Sequence, residues 1–239
     1  MARLFGRKKK SQDDQGDLSE RLVTLLDPLG VAAEAYRTLR TNIFYSVADT
    51  PPKVIVMTSP GPQEGKSTTC ANLGVVLAQA DQSTLIVDCD LRKPVVHRVF
   101  GTRNVYGLMN VLAGERDLES VWQQPVENLK ILTVGPIPLN PAEVLSSKRF
   151  AEFLDQVRKR FDYVLVDAPP VQLVSDPTII ATQGDAVLLV LDAQNTRKGA
   201  VRQAVRSMEA VGAHVLGTVM NNVKSSKAGY YGYGYGQKY

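Results

Sequence analysis

The sequence predicts an α/β fold in which a mostly parallel sheet is covered by helices on both faces. Short apolar runs alternate along the chain with longer segments rich in helix-forming residues. Strands that consist of nearly continuous apolar residues are typical of parallel sheets buried on both sides. The 239 residues, 44% of them hydrophobic and 22% charged, are enough for one such domain with a substantial core and short appendages.

The strands are predicted at the apolar runs, which cover residues 53–58, 84–88, 129–134, 163–167, 186–192 and 215–220. Helices are predicted over residues 31–47, 66–80, 108–112, 143–159 and 196–211. The first helix ends before the sequence Asp-Thr-Pro-Pro, because proline cannot continue a helix. The fourth is expected to break at its Ser-Ser step.

The charge distribution argues against nucleic-acid binding. Five of the 28 basic residues lie within the first ten positions, so the other 229 residues hold 23 basic and 24 acidic side chains. The basic tip is either a solvated tail or a weak attachment to the anionic cytoplasmic leaflet of a membrane. The chain shows no signal peptide and no apolar run of about 18 residues, and we therefore expect it in the cytoplasm. Two cysteines alone indicate neither a disulfide framework nor a zinc site.

A phosphate-binding loop is predicted between the first strand and the helix that begins at Lys66. Loop N–H groups and the positive end of a helix attract anions, the Lys66 ammonium reaches β- and γ-phosphates, and the Ser67 hydroxyl can bind Mg²⁺. The residues expected to hold the nucleotide in this loop are Pro62, Gln63, Glu64, Gly65, Lys66, Ser67 and Thr68. Proline stands at position 60, where the usual pattern has glycine. The fold expected is that of P-loop NTPases.

Three aspartates are predicted to gather at the carboxyl edge of the sheet. Asp88 and Asp90 follow the second strand, and Asp167 ends the run Tyr-Val-Leu-Val-Asp. Ligands of open parallel sheets bind at this edge. A single strand-end aspartate is more often a helix cap, but three beside a phosphate loop favour a Mg²⁺ site, since this ion prefers oxygen ligands.

The remaining features have two interpretations each. Glu34, Arg37 and Arg40 lie on one side of the first helix and, taken alone, fit a solvated face. Five tyrosines interspersed with glycine lie within the last ten residues, at Tyr230, Tyr231, Tyr233, Tyr235 and Tyr239. They make either a sticky aromatic linker or a set of phenols that can accept phosphate, on a segment flexible enough to enter an active site.

From about residue 30 to its end, the chain resembles the bacterial tyrosine kinases of capsule and exopolysaccharide assembly. Their phosphate loop has the form Ser-x-x-Pro-x-x-Gly-Lys-Ser, so the proline at position 60 is expected. The chain departs from them at Gln63, where glycine is common. The other matching segments are Val-Asp-Cys-Asp-Leu-Arg-Lys-Pro at 87–94, Leu-Val-Asp-Ala-Pro-Pro at 165–170, the helix motif Glu34, Arg37 and Arg40, and the tyrosine cluster.

The resemblance implies an ATP- and Mg²⁺-dependent protein-tyrosine kinase that phosphorylates its own tail in trans and regulates polysaccharide polymerisation and export. Lys66, Asp88, Asp90 and Asp167 would be catalytic, with Asp88 orienting or deprotonating the phenol. Ser67, Asp90 and Asp167 would bind the metal, and Asn221 would contact the adenine, although an Asn pair after a strand is often only a turn. Glu34, Arg37 and Arg40 would join subunits into a ring.

The same resemblance implies a domain layout and partners. Residues 1–30 would be a basic and polar linker, 31–50 an oligomerisation helix, 51–228 the kinase domain and 229–239 the tail. A separate membrane adaptor of the polysaccharide co-polymerase type would recruit the chain to the inner face of the membrane, and a tyrosine phosphatase would reverse the reaction.

Two other functions stay open at this level. One is a partitioning or septum-positioning ATPase that transfers no phosphate to protein. Such ATPases have a signature lysine in the loop, where this chain has Gly61, and they lack a tyrosine tail. The other is a non-catalytic subunit that binds ATP as a structural element.

Overall fold

The computed structural model describes residues 19–46 and 51–224, which fold around one seven-stranded sheet. The strand order is β3-β4-β2-β5-β1-β6-β7, and every neighbouring pair is parallel except β3 with β4. The strands are β1 (Val54–Thr58), β2 (Thr84–Asp88), β3 (Gln123–Val126), β4 (Leu129–Leu132), β5 (Tyr163–Asp167), β6 (Ala186–Asp192) and β7 (Val215–Asn221).

The helices cover both faces of the sheet. They are α1 (Val23–Leu26), α2 (Val31–Phe44), α3 (Lys66–Ala78), α4 (Val96–Val99), α5 (Leu108–Ala113), α6 (Leu118–Val121), α7 (Pro141–Leu145), α8 (Lys148–Arg160), α9 (Asp176–Ala181) and α10 (Lys198–Glu209). Alternate residues of the strands face two separate cores: Val54 and Val56 of β1 pack on one side, Ile55 and Met57 on the other. The predicted α/β fold with a mostly parallel sheet is confirmed.

The six predicted strands are all present, with ends that differ by at most a few residues. The helix expected over residues 143–159 is two helices, α7 and α8, which separate at Ser146 and Ser147 as the Ser-Ser step indicates. Ser147 caps α8, since its Oγ accepts from the N–H of Phe150 at 3.2 Å. The antiparallel edge strand β3 was not predicted, because its sequence Gln-Gln-Pro-Val contains no apolar run.

Residues 19–30 differ from the linker expected over residues 1–30. They contain α1 and pack against α3, with Leu22 and Thr24 fully buried. The Thr24 backbone N–H and hydroxyl both donate to Oδ1 of Asn72, at 3.0 and 2.9 Å, and Asn72 Nδ2 donates to the carbonyl oxygen of Arg21 at 2.8 Å. This part of the chain therefore belongs to the folded domain. None of the helices in the described part of the chain is long and apolar enough to cross a membrane.

Candidate active site

The loop between β1 and α3 has the backbone shape of a phosphate-binding loop. Gln63 and Gly65 both have positive φ angles, 62° and 90°, which turn the chain into the first turn of α3. A Cβ atom on Gly65 would lie 2.0 Å from Nδ2 of Asn221, so this position has no room for a side chain. Glycine, which the family resemblance leads us to expect at position 63, would suit the left-handed backbone that Gln63 adopts there.

The side chains of Ser67, Asp90 and Asp167 converge on the ammonium group of Lys66. Lys66 Nζ lies 3.0 Å from Asp90 Oδ2, 3.3 Å from Asp167 Oδ1 and 3.2 Å from Ser67 Oγ. Burial opposes the charged form of Lys66, but the carboxylates of Asp167 and Asp90 outweigh it and hold the lysine pKa above its usual range. The three side chains predicted as metal ligands thus all lie around the Lys66 ammonium group.

Asp88 is fully buried beneath the loop that follows β2. Its Oδ2 accepts from the backbone N–H groups of Val95 and Val96, both at 3.0 Å, and its Oδ1 from that of Asp90 at 3.2 Å. Burial and the neighbouring Asp167 raise the pKa of Asp88 to about 8. Asp88 therefore holds the loop in place and is a much stronger base than an ordinary carboxylate.

Asp167 carries the clearest sign that this site accepts a further cation. Burial raises the pKa of Asp167, although Lys66 lowers it. Its Oδ2 is buried and has no hydrogen-bond partner among the described residues, which is unfavourable for a carboxylate unless a ligand binds it. A partly solvated Mg²⁺ held by one or two carboxylates and nucleotide phosphates fits this oxygen-rich set. The described residues hold no cluster of three or more acidic, His or Cys side chains that would form a complete metal cage.

The predicted adenine contact, Asn221, lies against the phosphate loop. Its Nδ2 is 3.4 Å from the carbonyl oxygen of Glu64 and is packed on Gly65. Glu64 accepts from the Gly61 N–H through Oε1 at 3.2 Å, while burial raises its pKa and its buried Oε2 has no partner within the described residues. Asn221 thus fixes the loop from the end of β7.

One contact beside the site could not be found from the sequence. Arg92 makes a two-point ion pair with Asp176, from Nε to Oδ2 at 2.8 Å and from Nη2 to Oδ1 at 3.1 Å. The sequence Ser-Asp-Pro at 175–177 is a helix-start signal, but nothing in it indicates a partner 84 residues away. A shallow cleft of about 240 Å³ beside Arg92 is lined by residues 139–143.

The residues proposed for subunit contact make bonds within the chain. Arg37 pairs with Glu34 at 2.9 Å, and Arg40 donates from Nη1 to the carbonyl oxygen of Val76 at 2.8 Å. Glu34 stays exposed. The tyrosines of the predicted acceptor cluster, from Tyr230 to Tyr239, lie outside the described residues.

The fold and this loop-and-aspartate site define a P-loop nucleotide-binding protein of the ATPase type. The AAA domain family matches residues 52–217. Tyrosine-protein kinase YwqD of Bacillus subtilis is 40% identical over 222 residues, which cover 92% of this chain and 93% of that protein. Tyrosine-protein kinase wzc of Salmonella typhimurium is 34% identical over 90% of this chain but only 30% of its own length. The chain belongs to the bacterial tyrosine-protein kinases.

Solved structures agree with this assignment. The chimerical protein CapA2B2 superposes with a TM-score of 0.83 at 36% identity, covering 87% of this chain and 92% of that one. The kinase domain of the Escherichia coli tyrosine kinase ETK gives 0.81 at 31% identity, with 89% and 84% covered. The septum site-determining protein MinD of Pyrococcus horikoshii gives 0.62 at 25%, with 73% and 72% covered. The comparisons support the kinase function rather than the septum-positioning alternative, which shares the fold.

Proposed function

We propose that this kinase transfers the γ-phosphoryl group of ATP to tyrosines of its own C-terminal segment, in trans between subunits. The observation that carries the proposal is the convergence of Ser67, Asp90 and Asp167 on Lys66. A cation site beside a phosphate loop is the arrangement that phosphoryl transfer needs, because this reaction depends chiefly on positioning and on neutralising charge.

Lys66 and the N–H groups of the loop from Pro62 to Thr68 would hold the β- and γ-phosphates. Ser67, Asp90 and Asp167 are the side chains that would hold Mg²⁺, which when bound would neutralise negative charge on the phosphates. Lys66, now paired with two carboxylates, would then turn to a phosphate.

Asp88 is the proposed acceptor of the phenol proton. A free phenol has a pKa near 10, and a base whose pKa is raised toward that value removes its proton more readily than an ordinary carboxylate. The raised pKa of Asp88 supports this role. Because Asp88 is fully buried, the acceptor tyrosine reaches it only when part of the surrounding structure moves.

The acceptors would be Tyr230, Tyr231, Tyr233, Tyr235 and Tyr239. Glu34, Arg37 and Arg40 would contribute to a ring of subunits in which one tail enters the next site. By the family resemblance, a separate membrane adaptor would recruit the chain to the inner face of the membrane. Control of capsule or exopolysaccharide assembly, with reversal by a tyrosine phosphatase, follows from the family resemblance.

The test is incubation with Mg-ATP, with and without the adaptor's cytoplasmic segment, followed by intact-mass and peptide mass spectrometry. We expect successive additions of about 80 Da on residues 230–239. A Lys66→Met variant should show none, whereas Lys159→Met, which removes an exposed lysine of α8, should behave as the unaltered chain. ATP turnover without any added mass, with the adaptor present, would contradict the proposal.

Transfer in trans has its own experiment. A Lys66→Met chain with an intact tail is mixed with an active chain in which the five tail tyrosines are phenylalanine. Phosphate on the Lys66→Met chain is the expected result. If phosphate appears only on chains that have both Lys66 and the tail tyrosines, the reaction is intramolecular.

A further inference from the structure

Helix α10 carries a row of basic side chains that no acid balances. Arg197 is the N-cap residue, and Lys198, Arg202 and Arg206 follow at intervals of four. All four are exposed, and none forms an ion pair within the described parts of the chain. Because residues four apart lie on one face of a helix, Lys198, Arg202 and Arg206 form one positive surface, here called the α10 basic row.

Helix α8 shows that unpaired bases are not the rule in this fold. There Lys148 pairs with Glu152 at 3.3 Å, Arg158 with Asp155 at 2.8 Å, and Arg160 with Glu119. On α10 the only acid is Glu209, in the last turn. The α10 basic row is therefore a surface that lacks an anionic partner.

The C-terminal segment begins next to this surface. Gln194, in the loop that leads into α10, donates from Nε2 to the carbonyl oxygen of Asn222 at 2.9 Å. Asn222 Nδ2 in turn donates to Oδ2 of Asp192 at 2.9 Å. Because β6 and β7 are parallel and α10 connects them, the first turn of α10 and the end of β7 lie at the same edge of the sheet.

The length of the segment allows it to reach the row. Tyr230 is six residues beyond Lys224, a span of up to about 20 Å when extended. The row from Lys198 to Arg206 is about 12 Å long, at 1.5 Å per helical residue. An extended segment from residue 224 to Tyr230 is therefore longer than the row itself.

Phosphorylation would reverse the charge of the segment. Residues 225–239 contain two lysines, Lys227 and Lys238, and no acid, so the unmodified segment is repelled by the row. Each phosphotyrosine adds a charge of about −1.5 to −2 at pH 7 and three acceptor oxygens. Arginine side chains bind phosphate oxygens with two N–H groups at once, which makes Arg202 and Arg206 suited to this ligand.

We propose that the α10 basic row binds the phosphotyrosines of the chain's own C-terminal segment. The origin of these phosphates rests on the proposed function. Docking in cis withdraws a phosphorylated segment from the active site of a neighbouring subunit, so that each completed reaction removes its product from the site. The row then acts as a product-binding surface that favours release of one subunit from the next.

The test uses a fluorescent synthetic peptide of residues 225–239 with phosphotyrosine at 230 and 231. Its binding to the full chain is measured by anisotropy, with saturating Mg-ADP to fill the phosphate loop. We expect at least tenfold tighter binding than that of the unphosphorylated peptide. The Arg202→Gln/Arg206→Gln variant should bind the phosphorylated peptide at least tenfold more weakly than the unaltered chain. The charge-matched Lys148→Gln/Lys159→Gln variant of α8 should bind it less than twofold more weakly. The phosphates are supplied by synthesis, so this result is independent of whether the chain phosphorylates itself.

Equal affinity of the two double variants would overturn the proposal. So would a row that binds vesicles containing 30% phosphatidylserine but not the phosphopeptide, which would assign the surface to a membrane. Docking in cis is tested with a full chain that carries phosphotyrosine at 230 and 231 by semisynthesis. Its row should already be filled, so the added peptide should bind at least tenfold more weakly; unchanged affinity would refute docking in cis.

Discussion

Arg92 and Asp176 form a two-point ion pair that joins the loop after β2 to the start of α9. The Asp176 side chain is fully buried, whereas that of Arg92 is 43% exposed. Asp90, which faces Lys66, lies two residues before Arg92 in the same loop. The pair therefore ties one wall of the candidate active site to the helix that follows β5.

We expect Arg92→Ala to lower the free energy of unfolding by roughly 1–3 kcal/mol. Removing one partner leaves a buried carboxylate unpaired, but the exposure of Arg92 lets water screen part of the loss. Arg92→Lys should recover only part of the lost free energy of unfolding, because an ammonium cannot make both bonds to the Asp176 carboxylate. Urea unfolding measures this, and Arg160→Ala, which breaks a surface pair with Glu119, is the control. Equal losses in the two alanine variants would contradict the prediction.

Gln63 should tolerate glycine but not a β-branched residue. Its φ of 62° is in the left-handed region, which costs an ordinary residue roughly 1–2 kcal/mol and glycine much less. Gln63→Gly should leave stability unchanged or raise it by up to about 1 kcal/mol, after the greater freedom of the unfolded chain is counted. Gln63→Val should be destabilised and bind Mg-ADP less tightly. Thermal unfolding measures the stability of each variant, and calorimetric titration measures its affinity for Mg-ADP. A Gln63→Val variant as stable as the unaltered chain and with the same affinity for Mg-ADP would refute the argument.

Gly65→Ala should abolish nucleotide binding through contact with Asn221. The new Cβ would stand 2.0 Å from Asn221 Nδ2 and would also require the unfavourable φ of 90°. Adding Asn221→Ala removes the clash but not the backbone strain, so binding of Mg-ADP should return only in part. Full recovery in the double variant would show that the backbone angle is unimportant. The Asn221→Ala single variant is the reference for the double variant, because Asn221 also holds the loop. If the double variant binds Mg-ADP much more weakly than that reference, and no better than Gly65→Ala, the contact with Asn221 is not the cause.

Much of this site could be predicted from the sequence because its parts are short and local. A strand followed by Gly-Lys-Ser specifies a phosphate loop, and aspartates that end parallel strands must meet at one edge. The contact of Arg92 with Asp176 could not be predicted, because it depends on how the loop after β2 lies against α9. The sequence places Asn221 at the end of the last strand, but its packing on Gly65 is a property of the folded sheet.

The stability of the protein should fall as pH rises through the range set by Asp88. An unfolded aspartate loses its proton near pH 4, whereas the pKa of Asp88 in the folded chain is raised to about 8 by burial and by Asp167. Between these values the folded state binds more protons than the unfolded state, so raising the pH favours unfolding, by at most about 1.4 kcal/mol per unit for this group. Above about pH 8 the effect ends.

The slope of stability against pH is the quantity to measure, without nucleotide or metal, from pH 5 to 9. Asp88→Asn should flatten it, whatever the variant's absolute stability, because its side chain does not titrate. Asp162→Asn is a suitable control, since this aspartate is exposed. An unchanged slope in Asp88→Asn would assign the proton to another group of the site.

The docking of residues 19–27 on α3 should depend on Asn72. This fully buried side chain accepts two hydrogen bonds from Thr24 and donates to the carbonyl oxygens of Arg21 and Thr68. Its replacement by alanine leaves the Thr24 backbone N–H buried without a partner, which predicts a loss of about 2–4 kcal/mol. Because the bonds to Thr24 and Arg21 tie the N-terminal segment to α3, Asn72→Ala should also expose residues 19–27 to protease faster than the rest of the domain.

Thr24→Val separates the side-chain bond from the backbone bond. It keeps the N–H that donates to Asn72 and removes only the hydroxyl, so it should lose about 1 kcal/mol and resist protease better than Asn72→Ala. Limited proteolysis followed by mass spectrometry locates the first cut in each variant. If Asn72→Ala is cut first beyond α2 while residues 19–27 stay protected, the segment is held by burial of Leu22 rather than by these hydrogen bonds. That outcome would move the origin of docking from polar contacts to apolar packing.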